Sequence, residues 1–327
     1  MTFQIIVPGR FVEPSDAIGC RLGMEGWFTL EALRNGRTVR KHSFKDTDGM
    51  AGPFQNLILD QGLDRFGTEG RHSFVRYFQV GVGTSAPDPT QTQLINPIGG
   101  TISGATDTTL PGEAPDYFSR MIVGALSSIG QFGSSNLTEV GIGGNSITGL
   151  TSRALIVDST GEPTSFPISS EEQLRVSYEI RLFPPLVDSH HVVNVAGERD
   201  VIVRALGVTN SSYWSIPNIS TSAGQVAGEP VANNGFRTGD LNPITDTSSQ
   251  GSSISGSSTT TVYPYSPGSY KSGHRQSFSS TQAVSDSLRS HQVRYNSCAF
   301  QVQYDPPLQK TADQTMFLEY ELAWGRR

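Results

Sequence analysis

Leu174-Arg175-Val176-Ser177-Tyr178-Glu179-Ile180-Arg181-Leu182 decides the fold class. Apolar side chains occupy every second position from 174 to 182, and polar ones fill the gaps. A strand turns successive side chains to opposite faces, so this run offers one face to a core and one to water. The alternation returns in Met316-Phe317-Leu318-Glu319-Tyr320-Glu321-Leu322-Ala323-Trp324, with Tyr320-Glu321 in register with Tyr178-Glu179. Upstream of each run lies a further strand (Arg153 to Val157; Cys298 to Tyr304) and a turn containing proline (Pro163, Pro167; Pro306, Pro307). The reading is two similar antiparallel hairpins. Duplication and a coincidence of amphipathic strands both account for the echo.

Outward from these runs, period-2 patterning continues. Further strands are expected at Phe74 to Val82, Tyr117 to Val123, Leu137 to Ile142 and residues 201–206. Trp27 to Leu30 and Thr38 to Arg40 flank Asn35-Gly36, the signature of a type I′ hairpin turn. Pro53 to Phe66 reads as a helix, with Phe54, Leu57 and Ile58 on one face and Gly67 as its C-terminal cap. A second short helix is expected at Gln282 to Ser290. Residues 207–281 lose strong patterning, and Ser248 to Ser280 is a Ser/Thr/Gly tract that reads as an extended arm or loop. On this reading the tract is dispensable for folding. The expected organisation is an N-terminal arm (1–20), a β module (21–188) and a second β module (189–327) with the extended loop 207–281. The fold class is mostly β: two antiparallel sandwich-like modules with one short helix.

Composition agrees. The 327 residues include 35 Gly and 19 Pro, and only 17% are charged, against roughly 25% in ordinary domains. Such a chain suits many short strands and excludes a coiled coil. The net charge of −6 and the absence of any basic block beyond Arg37 to Lys41 argue against a nucleic-acid partner. No window resembles a secretory signal or a spanning helix, so no membrane partner is expected. Cys20 and Cys298 read as free thiols.

Motifs that carry chemistry are weak throughout. Gly81-Val82-Gly83 and Gly141-Ile142-Gly143-Gly144 follow strands but lead into polar loops, so they read as turn glycines rather than a phosphate cradle. His42, His72, His190, His191, His274 and His291 show no paired metal-ligand spacing and read as solvated or linker residues. Glu171-Glu172 and Asp158 read as solvent-facing acids, and no nucleophile elbow occurs among the serines. No catalytic, cofactor or metal-binding residue is assigned, and the chain is read as a non-enzyme needing no cofactor. Tyr213, Trp214, Tyr263, Tyr265 and Tyr270 are the candidate assembly contacts, since aromatic residues in a Ser/Gly-rich setting offer large contact area at low entropic cost.

One ordered set of motifs points further. It begins with the Asn35-Gly36 hairpin, Phe54-Gln55-Asn56-Leu57-Ile58 and Gln61-Gly62-Leu63-Asp64. It continues through Gln79-Val80-Gly81-Val82-Gly83-Thr84-Ser85-Ala86-Pro87, Leu137-Thr138-Glu139-Val140-Gly141-Ile142-Gly143 and Leu150-Thr151-Ser152-Arg153-Ala154, and closes with 174–182. This order resembles virion structural proteins of tailed bacteriophages, of the tail, collar or fibre-associated kind. The likeness covers about residues 21–183. It implies an assembling β protein of the virion whose partners are its own copies and other virion proteins, and it brings no catalytic residues. The alternative is a receptor-binding fibre or head-decoration protein, with a host-surface glycan as partner.

Overall fold

A computed structural model describes residues 3–6, 18–42, 44–45, 51–52, 54–68, 75–103, 106–110, 118–144, 149–194, 198–210, 213–214, 226, 228, 230–231, 235–254 and 258–327. Phe74, His72, Pro53 and Tyr117, on which parts of the sequence reading fall, lie outside this set.

The chain starts with β1 (Phe3–Ile6) and the long β2 (Ile18–Arg34), which turns into β3 (Arg37–His42). Asn35 and Gly36 take φ of 50° and 74°, the left-handed pair that a type I′ turn requires. Four two-residue strands follow: β4 (Phe44–Lys45), β5 (Ala51–Gly52), β6 (Phe54–Gln55) and β7 (Leu57–Ile58). The helix α1 (Asp60–Thr68) comes next. Then come β8 (Tyr77–Gly81), β9 (Pro97–Ser103), β10 (Thr106–Leu110), β11 (Ser119–Leu126) and β12 (Ser135–Leu137). β13 (Glu139–Gly143), β14 (Leu150–Leu155), β15 (Phe166–Ile168) and β16 (Gln173–Phe183) complete the first half. The second half contains β17 (Ser189–Asn194), β18 (Glu198–Ala205), β19 (Thr259–Val262) and β20 (Lys271–Phe278). It closes with β21 (Ser285–Arg294), β22 (Ala299–Lys310) and β23 (Thr315–Arg326).

The fold is mostly β. A ten-stranded sheet runs β10-β11-β16-β2-β23-β20-β19, with β1 added to β23, and β3 and β6 to β2. Four smaller sheets accompany it: β7-β14-β13-β8-β9, β17-β18-β22-β21 and the two-stranded β12-β15 and β4-β5. The two alternating runs form β16 and β23, whose inward residues are buried at every second position. They flank β2 on opposite sides, β16 antiparallel and β23 parallel to it. The strands upstream of them, β14 and β22, each enter a smaller sheet. One hydrophobic cluster joins the three largest sheets, from Leu22, Phe28 and Val176 through Val80 and Ile142 to Val203 and Val302. The large sheet and its core therefore draw strands from both sides of position 188.

Four local expectations are corrected. The helix starts at Asp60 rather than Pro53. The backbone of 54–58 instead pairs with neighbouring strands, Phe54 with Phe28 and Ile58 with Ser152, which satisfies its polar groups without a helix. Gly67 lies inside the last helical turn, not beyond it. The expected helix at 282–290 is largely strand β21, because its main chain pairs with β22 and Leu288, Ser290 and His291 are all buried. The 248–280 tract contains β19 and β20, and β20 pairs with β23 over eight residues. It is an integral part of the large sheet.

Candidate functional site

The aromatic segment 263–270 crosses from β19 to β20 and folds back onto this chain's own helix. Two acids four residues apart, Asp60 and Asp64, stand on α1 and serve as its fixed points. The Tyr265 hydroxyl donates to Asp64 Oδ1 at 2.7 Å, and the Gly268 amide donates to the same oxygen at 2.7 Å. The Tyr265 ring stacks on Trp324 of β23, 5.8 Å between centres and 14° between planes. Trp324 in turn donates its indole N–H to the Leu63 carbonyl (2.8 Å) and its amide to the Tyr270 carbonyl (2.9 Å). Arg326 pairs with Asp60, while Tyr270 approaches the same carboxylate. Burial, and then the neighbouring Asp64, raise the Tyr265 phenol; burial, and then Asp60, raise that of Tyr270. Gly67 makes the stack feasible, since a Cβ there would strike both the Tyr265 and Trp324 rings.

The other candidate contacts divide. Trp214 is buried, edge-on to Phe300 with ring centres 5.5 Å apart, and its indole N–H donates to the Leu206 carbonyl at 2.8 Å. Tyr213 is half-buried under the Arg294 guanidinium, 4.4 Å above its ring centre. Tyr263 is the exposed member of the five; its hydroxyl donates to Glu319 at 3.0 Å. The structure thus brings Tyr265 and Tyr270 together at α1, puts Tyr263 beside the outer face of β23, and separates Tyr213 and Trp214 from them. Four of the five serve packing within this chain. Asp60, Asp64, Trp324 and Arg326 complete the junction. The Asp60/Asp64 spacing on a short helix was the sequence signal for it, obscured by placing the helix start seven residues early.

The histidine reading is corrected as well. His190 is exposed and His191 half-buried, on adjacent positions of β17, but His274 and His291 are fully enclosed in the core. Cys20 and Cys298 are free, as the sequence reading expects, and both are buried. Among the described residues no cluster of His, Cys, Asp and Glu is placed to hold a metal ion, and no helix is long and apolar enough to cross a membrane.

What the surface offers is sheet edge. The large sheet is open: among the described residues, β10 and β19 have no partner on their outer sides. In β19 the Tyr263 amide bonds inward to the Gly273 carbonyl (2.9 Å), so by alternation the main-chain groups of Thr260 and Val262 point outward. Thr259-Thr260-Thr261-Val262 contains neither a charge nor a proline, the usual guards of an edge strand.

Comparison with protein-family models, with curated proteins and with solved structures found no match.

Proposed function

We propose that this chain is a non-enzymatic structural component of a tailed-phage virion, a tail, neck/collar or fibre-attachment protein that self-assembles and docks other virion proteins. The observation that carries the assembling role is the unguarded edge at β19. Unpaired main-chain donors and acceptors on a β-branched strand add a further strand readily, with backbone hydrogen bonds supplying affinity and side chains supplying specificity. Locking the aromatic loop onto α1 and β23 holds that edge rigid, which lowers the entropic cost of docking. The phage setting rests on the ordered motifs of residues 21–183.

The test has two arms. Light scattering of the purified chain should give a mass above the monomer. Val262→Lys, which places a charge on the exposed edge, should return it to monomer without changing its circular dichroism. A protein that stays monomeric at high micromolar concentration would remove the assembling role. Immunogold labelling of phage particles tests the setting, and failure to label any part of the particle would overturn it.

A further inference from the structure

A polar patch lies in the core where the large sheet meets the four-stranded sheet. β20 contributes His274 and Gln276, β21 contributes His291 and β23 contributes Tyr320; none is more than 2% exposed. His274 sits directly opposite Tyr320 in the β20–β23 ladder. Both imidazoles stack on Tyr320, with ring centres 5.2 Å away for His274 and 5.7 Å for His291, and interplanar angles of 21° and 23°. Tyr320 thereby joins one histidine of its own sheet to one from the other layer. Phe236 and Phe278 close around His291, and Tyr295 stands edge-on to His274 at 5.4 Å.

The patch is arranged for neutral imidazoles. His291 Nε2 lies 2.8 Å from Gln276 Oε1, so the proton sits on Nε2 and Nδ1 is bare. That Nδ1 and both ring nitrogens of His274 make no hydrogen bond within the described protein. The surrounding titratable groups are Tyr304 from β22, Cys20 from β2, and Tyr295 and Cys298 from the turn between β21 and β22. Burial raises all of these, so they remain uncharged at neutral pH. The fixed charge acting on His291 is a cation, Arg237. Glu321, on the alternate face of β23, pairs with Lys271, and Glu319 pairs with Arg275. Among the described side chains, no carboxylate is therefore turned toward either imidazole. Burial without a counter-charge brings both down to about 3, and for His291 the neighbouring His274 and Arg237 add to the effect.

We propose that the His274–Tyr320–His291 stack is a proton-operated clasp between the two sheets, closed while both imidazoles are neutral and opened when acid charges them. An imidazolium in this patch would be a buried charge with no anion, and two would repel each other. Once the layers part, each imidazole returns toward its ordinary value near 6.5. The sign follows. The open state binds more protons below about pH 6.5, so the closed state is fully stable above that and weakens as pH falls toward 3. Each histidine raises the open fraction about tenfold per pH unit in that window. The clasp is independent of the assembling role proposed above.

Hydrogen exchange on the full chain, corrected for intrinsic pH dependence, tests this between pH 8 and 4. Amides of β20–β23 should lose protection steeply below about pH 6. The loss should move at least one pH unit lower in His274→Phe/His291→Phe, which keeps the stacked rings, and stay in place in the His190→Gln/His191→Gln control. Full protection at pH 4, or the same midpoint in the Phe variant, overturns the clasp. If the Phe variant does not fold, NMR titration of the unmodified chain decides. Imidazole resonances that stay neutral until a cooperative opening support the clasp, whereas titration near 6.5 in the intact fold refutes it.

Discussion

Arg153 donates from Nε to Glu139 Oε2 at 3.0 Å, and both side chains are wholly shut off from solvent. The pair organises the connection between β8 and β9, which has no regular structure of its own. Glu139 also accepts the amides of Gly83 (3.0 Å), Ile95 (3.1 Å) and Asn96 (2.8 Å). Arg153 reaches the Gln91 side chain (2.9 Å) and the Ser85 carbonyl (2.8 Å). A charge buried here is tolerable because nearly every lone pair and proton has a partner. Arg153→Met should therefore cost about 3–5 kcal/mol, since it strands a buried carboxylate. Urea unfolding checks this, and Glu139→Gln/Arg153→Met should cost less than the two single changes added together.

Gly62 tests close packing between α1 and β14. Replacing a helical glycine by alanine ordinarily gains up to about 1 kcal/mol. Here a Cβ would overlap the Thr151 carbonyl, which is backbone and cannot swing away. Gly62→Ala should lower the thermal midpoint despite the propensity gain, and a raised midpoint would contradict the helix placement.

Tyr265→Phe removes the hydroxyl and its hydrogen bonds, that to Asp64 foremost, and Tyr265→Ala also removes the stack on Trp324. The expected losses are about 1–2 kcal/mol for the first, a bond to a charged acceptor, and more for the second. The sharper readout is proteolysis. Segment 263–270 should become a cleavage site in the alanine variant while the core stays intact.

Glu172 gives a pH signature. Burial works against its charge, but the Ser169 amide (3.0 Å) and the Arg40 guanidinium outweigh that and hold the carboxyl below its ordinary value. The stabilisation is thus present above the ordinary carboxylate range and fades as pH falls through the lowered value. Glu172→Gln should be destabilising at pH 7 and approach the unmodified chain in strong acid, as paired urea titrations at both pH values would show.

These contacts also explain what the sequence made legible. β16 and β23 announce themselves because their inward residues are apolar, and the Asn35-Gly36 turn because φ > 0 at both positions restricts the residue type. β20 stays hidden. Its inward positions are Ser272, His274, Gln276 and Phe278, so the strand has period-2 burial without period-2 hydrophobicity. β21 is masked in the same way by buried Ser290, His291 and Gln292. Phe54, Leu57 and Ile58 fit helical spacing equally well as two short strands, and only their pairing partners, distant in sequence, decide between them. The sequence reading marks five aromatics as assembly contacts; the structure gives Tyr265 and Tyr270 partners on α1, and Tyr265 a stack on Trp324, within this chain, contacts that no local pattern encodes.

Removing residues 248–280 therefore has a different expected outcome from the one composition suggests. The deletion takes away β20, strips β23 of one neighbour and deletes His274. It should yield insoluble or unfolded protein, which soluble expression and circular dichroism would reveal.

The parallel pairing of β2 with β23, Ile18 opposite Tyr320 through Met24 opposite Arg326, also sets a timetable. Parallel neighbours this far apart in sequence cannot meet until β23 has been synthesised. During translation β2 holds β16 on one side and β3 and β6 along part of the other, while its stretch from Ile18 to Met24 waits for β23. The nascent chain thus passes through a long interval in which an apolar strand edge is open to the wrong partner. Its yield in a cell should depend on how quickly the ribosome finishes and on whether a chaperone covers that edge in the meantime.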